Sequence, residues 1–166
     1  MNQHVWKRVA AATLAAGTVV VSVAAQAPES KCKSVHADLV ENRSTTACKP
    51  GEAACFLGEV DGNHGLLGTT YFHADSAAAG PSTGLPGFVS YSGLFEYQTD
   101  QGTLMTRETG VTNTSTGLPQ SGRVTAYQQI LSATGNLTGA TGYFFVSGLS
   151  SSGHVVTNVT GEICFP

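Results

Sequence analysis

Between Ser132 and Gly148 the chain reads SATGNLTGATGYFFVSG: a glycine-marked turn, an apolar and aromatic run, then another glycine. The same grammar repeats from Cys55 to Cys164, and few architectures other than a β-meander satisfy it. Runs rich in Val, Thr, Phe and Tyr, bounded by Gly, Ser, Asn and Pro, are the signature of strands joined by turns. The spacing predicts eight strands, near residues 34–40, 55–61, 66–75, 88–98, 103–112, 122–131, 140–148 and 154–164. An even number of antiparallel strands can close on itself and leave no unpaired edge. The expected fold class is therefore all-β, an eight-stranded antiparallel up-and-down barrel.

Closure also constrains the cysteines. If the first strand runs up and the eighth runs down beside it, Cys32 and Cys164 meet at one end. The loop carrying Cys48 returns at the other end, next to Cys55. Disulfides Cys32–Cys164 and Cys48–Cys55 are the expected pairing, the first stapling the barrel seam. No CxxC or HxxxH spacing supports zinc, and no metal site is expected.

The chain's beginning reads as a targeting segment. Lys7 and Arg8 precede an uncharged apolar run from Val9 to Ala24, too short for a membrane span. Cleavage after Ala25 would remove residues 1–25 as a signal peptide. Residues 26–54 would form an extension holding Cys32, Cys48 and a first strand, and 55–166 the barrel domain. Secretion, extracellular or periplasmic, is the expectation, and it suits an even cysteine count. Beyond Ala25 the chain has six basic residues against eleven acidic ones, a net charge near −5. A nucleic-acid surface needs clustered Lys and Arg, and from Cys55 onward Arg107 and Arg123 are the only two strong bases. Nucleic acid is excluded as a partner, and a membrane after cleavage is not expected. Self-association stays open.

Alternation places every second strand residue on one face. Val89, Tyr91, Gly93, Phe95 and Tyr97 form one inward set. Thr70, Phe72 and Ala74 form another, Val124, Ala126, Gln128 and Ile130 a third, and Val155, Thr157, Val159 and Ile163 a fourth. The fifth strand is ambiguous: either Arg107 or Glu108 must point inward. Met105 and Val111 share a face with Arg107, so Arg107 is expected in the lumen, where a bound carboxylate or enolate-like oxygen would pair it. Tyr91, Phe95, Tyr97, Arg107 and Gln128 are thus the candidate ligand-binding residues.

Catalytic residues are not identifiable. No GxSxG occurs, the cysteines are committed to disulfides, and the predicted lumen holds no acid–base group unless Glu108 turns in. His64, His73 and His154 fall on turns or outward faces, and His73 with Asp75 lacks a third metal ligand. Asn-x-Ser/Thr triplets at Asn42, Asn113, Asn136 and Asn158 are the chance product of a Ser- and Thr-rich chain. The pentapeptide STGLP occurs at Ser82 and again at Ser115, in loops at one end of the meander. Two copies there could share a rim, although Gly and Pro are ordinary turn residues.

The segments GTLMTRETGV and YQQILSATGNLTGATGYFFVSG resemble the barrel of allene oxide cyclases and dirigent proteins. Ser132-Ala133-Thr134-Gly135 stands where that group has GGTG, and Leu137, Ala140, Gly142 and Tyr143 match the stretch after it. The ending TGEICFP is similar to bacterial members of the group. The resemblance covers about residues 55–166 and implies a barrel with a hydrophobic cavity. Its relatives bind or cyclise reactive apolar molecules such as fatty-acid epoxides, phenoxy radicals or polyketide chains. None of their catalytic residues maps onto this chain, whose cysteine-bearing extension also departs from the plant members. The expected function is binding of a small hydrophobic molecule, with isomerase, cyclase or dirigent-like steering as an extension and no cofactor. The alternative is a structural or interaction protein with a filled barrel. A third reading, carbohydrate recognition, would need Tyr71 and Tyr127 to align on neighbouring strands.

Overall fold

A computed structural model describes residues 31–79, 88–113 and 121–166. The predicted signal peptide and both STGLP pentapeptides lie outside the described residues. The eight strands are β1 (Lys31–Ser44), β2 (Cys55–Gly62), β3 (Leu67–Ala79), β4 (Phe88–Thr99), β5 (Gly102–Asn113), β6 (Ser121–Ala133), β7 (Thr141–Ser151) and β8 (His154–Phe165). Each pairs antiparallel with the next, and β1 pairs with β8, so the sheet is a closed up-and-down barrel. Burial alternates along β1, β5, β6 and β8, as a closed sheet with one wet face demands.

Chain direction gives the barrel two ends. The lower end holds the β2–β3, β4–β5 and β6–β7 connections together with the chain-end seam. The upper end holds the β1–β2 and β7–β8 connections, and there β3 and β5 end and β4 and β6 begin. Both expected disulfides are present: Cys32–Cys164 at the lower seam, where the two residues are direct cross-strand partners, and Cys48–Cys55 at the upper end.

The lower lumen is a packed core. Tyr97, Phe95, Phe144, Leu104, Leu137 and Ile163 are fully buried there. Each large side chain of this kind contributes about 1.5–3 kcal/mol by leaving water. Rings stack in sequence up the lumen: Phe144 on Tyr97 (5.8 Å between centroids), Tyr97 on Phe95 (4.7 Å), Phe95 on Phe72 (5.8 Å), and Phe72 on Tyr91 (5.7 Å). The SATG turn closes the bottom. Gly135 sits at φ +61° against the Gln101 carbonyl, a left-handed conformation that glycine adopts without penalty. The single 3-10 turn that follows, Gly135–Leu137, tucks Leu137 under the barrel.

Two bulges interrupt the ladder: Asp75 is the extra residue on β3, and Leu131 is the extra residue on β6, facing Met105 and Thr106 of β5. A bulge re-aims the side chains beyond it. On β5 the alternation is unbroken, and the inward set is Leu104, Thr106, Glu108 and Gly110, all buried.

Candidate functional site

Side chains shrink in the upper half of the lumen, and a cavity of about 210 Å³ opens. Phe56, Phe72, Val89, Val124, Val146 and Val155 form most of its wall. Its polar groups are Glu41 from β1, Tyr91 from β4, Glu108 and Thr112 from β5, Ser150 from β7 and Thr157 from β8. Glycines make room for the long polar side chains. Gly58 lies directly across from Glu41, and a Cβ there would stand 2.7 Å from the Glu41 Cγ. Gly110 lies across from Tyr91, and a Cβ there would stand 2.5 Å from the phenol oxygen.

The two glutamates have opposite surroundings. Glu108, 5 % exposed, accepts two hydrogen bonds: from the Tyr91 hydroxyl to Oε1 at 2.9 Å, and from Gln128 Nε2 to Oε2 at 2.5 Å. Gln128 is itself oriented by the Tyr97 hydroxyl, which donates to its Oε1 at 2.6 Å. Two donors favour the carboxylate form, yet burial outweighs them and holds the Glu108 pKa above the ordinary range. Glu41, 7 % exposed, has no such support: its Oε1 is buried without a hydrogen-bond partner. Burial first, and the Glu108 charge second, push its pKa up to about 8. At neutral pH Glu41 therefore keeps its proton. Burial, then the Glu108 charge, also raises the Tyr91 phenol. Burial does the same for Tyr97.

Arg107 is not in the lumen. Its guanidinium points outward, donating from Nη2 to Asp75 Oδ1 and to Ser92 Oγ, each at 2.9 Å, with Nη1 also on Asp75. The reason is energetic: outside it finds a carboxylate and water, whereas the lumen would strip it of both. Met105 and Val111, which suggested an inward face, lie on the outer wall, where Val111 is exposed. Of the other candidates, Tyr91 lines the cavity. Phe95 and Tyr97 are buried in the lower core, and Gln128 acts through Glu108. Glu41 is the residue that the sequence reading missed. Its predicted strand stopped at Val40, but the inward series Val35, Ala37, Leu39 runs one step further to Glu41.

Tyr71 and Tyr127 do not line up, since they lie on β3 and β6. The disulfide loop covers Tyr71. The Lys49 backbone N–H donates to its hydroxyl at 2.7 Å, that hydroxyl donates to Glu52, and the Lys49 ammonium sits 4.5 Å from the ring centroid. Tyr127 instead stacks outside with Tyr143 and Phe145. Among the described residues no group of three or more His, Cys, Asp or Glu side chains is placed to hold a metal ion. None of the described helices is long and apolar enough to cross a membrane. Set against protein-family models, curated proteins and solved structures, the chain matches none of them.

Proposed function

We propose that this protein is a secreted, non-membrane barrel that binds a small, largely apolar molecule in its upper lumen. The observation that carries this reading is the cavity of about 210 Å³, with apolar walls and a few convergent polar groups. Ligand sites have that composition. The volume is modest: a dry cavity of about 150 Å³ takes benzene, so the occupant is on the scale of one ring with a short chain. Secretion is supported by the two disulfides. Kinship with the allene oxide cyclase and dirigent group rests on the quoted motifs and agrees with the barrel order. Isomerase- or cyclase-like chemistry is the finer reading, because two buried carboxyl groups, Glu41 and Glu108, face one cavity and can hold and move a proton beside a bound ligand.

The competing reading is a filled structural barrel, favoured by the packed lower half. Native mass spectrometry of the oxidised protein, soaked in lipid and phenolic extracts, separates the two. A retained mass shift that Tyr91→Trp removes and Arg107→Ala leaves intact supports the lumen site. The bare protein mass across varied extracts overturns it.

A further inference from the structure

The polar atoms of the upper lumen are unbalanced in kind. Two carboxyl groups face the cavity, and among the described residues lining it there is no Lys, Arg or His. Glu108 has donors on both oxygens, but Glu41 Oε1 has none and is more than nine-tenths buried. A second cavity-lining oxygen, Thr112 Oγ1, is also buried without a partner. Unsatisfied buried acceptors cost about 1–3 kcal/mol each, and Gly58 is placed so that the Glu41 side chain has room beside it. On the wall between the strands that carry Glu41 and Glu108 stand Phe56 of β2 and Phe72 of β3, whose ring centroids are 6.2 Å apart.

Resting on the lumen-binding reading, we infer that the ligand is a primary amine with a ring-sized apolar body. Its ammonium would be held between Glu41 and Glu108 and its body would lie against Phe56, Phe72 and the valines. An ammonium has three donors and no acceptor. It therefore matches a cavity whose unpartnered polar atoms, among the described residues, are the oxygens Glu41 Oε1 and Thr112 Oγ1. Charge-assisted hydrogen bonds are about twice as strong as neutral ones, and an aromatic face adds attraction for a cation. An anionic ligand would meet Glu108 with no cation to offset it.

Isothermal titration calorimetry at neutral pH with three probes of one shape tests the inference: phenethylamine, phenethyl alcohol and phenylacetate. The amine is expected to bind at least about tenfold tighter than the alcohol, as one charge-assisted contact implies, and phenylacetate not to bind. Glu108→Gln should remove that preference, bringing the amine-to-alcohol affinity ratio down toward one. Alcohol binding equal to or tighter than the amine overturns the amine inference and leaves the lumen-binding reading standing. So does binding of phenylacetate. Silence from all three probes overturns the inference too, and the extract experiment then decides the lumen site separately. The wild-type probe series decides the matter even if Glu108→Gln fails to fold.

Discussion

The two halves of the lumen are built from the same eight strands with the same alternation, yet one is a core and the other a chamber. Below, Tyr97, Phe95, Phe144, Leu104 and Ile163 meet at the axis with no room left. Above, most inward positions are filled by Val, Thr, Ser and Gly beside Phe56 and Phe72, and the long polar residues there are two carboxylic side chains and a tyrosine. An eight-stranded barrel is just wide enough for side chains to fill, so side-chain volume decides which half stays open. The lower half supplies the stability that allows the upper half to hold two buried carboxyls, groups that burial disfavours in their charged form.

The sharpest test of that contrast is pH. Glu41 titrates near 4.5 in the unfolded chain and near 8 in the barrel. Below 4.5 both states hold the proton and nothing is lost. As pH rises the unfolded chain releases it first, so stability falls from about pH 4.5 and the loss is complete above pH 8. At about 1.4 kcal/mol per unit the full loss is about 5 kcal/mol, and Glu108, also raised, acts in the same direction. The exposed acids Asp75 and Glu96 are lowered by Arg107 and Lys49 respectively, so their effect falls at more acid pH. Denaturant unfolding between pH 5 and 8.5 should show this decline, and Glu41→Gln should flatten it. A level wild-type profile would refute the buried pair.

Truncation comes next. Phe144→Ala in the lower half should cost about 3–5 kcal/mol by opening a void in a full core. Val124→Ala on the cavity wall should cost less than about 2 kcal/mol, since it widens a space already there. Equal losses in urea melts would mean that the halves do not differ. Tyr91→Phe removes a donor from Glu108 and should cost about 1.5–3 kcal/mol near neutral pH, with the cost vanishing at pH 4. The smallest effect is expected from filling the chamber. Val124→Phe should change stability by less than about 1 kcal/mol and block ligand, whereas Val60→Phe in the core should cost about 1–3 kcal/mol. Intact binding by a well-folded Val124→Phe protein would move the site elsewhere.

Much of this arrangement is legible in the sequence, because closure is a global constraint and leaves a repeated local mark. Glycine-bounded runs of β-branched and aromatic residues revealed the strands, and strand direction alone paired the cysteines. The site was harder to read. On β5 both faces carry one charge beside apolar and small residues, and the alternation runs without a break, so the strand's own pattern does not say which face turns inward. Arg107 goes out because Asp75 waits two strands away, a contact between distant positions. Glu41 was missed for a simpler reason: a charged residue after Val40 looks like a strand end. In a barrel the alternation of Val35, Ala37 and Leu39 was the better guide.

The seam disulfide has a topological consequence. With Cys32 tied to Cys164, 132 positions apart, the barrel is one covalent ring. A single protease cut in any connection from β2 to β8 would not release a fragment. It would turn the ring into a linear chain with new ends at the cut, a circular permutant in all but synthesis. Such a nicked barrel would run as one band without reductant and as two with it.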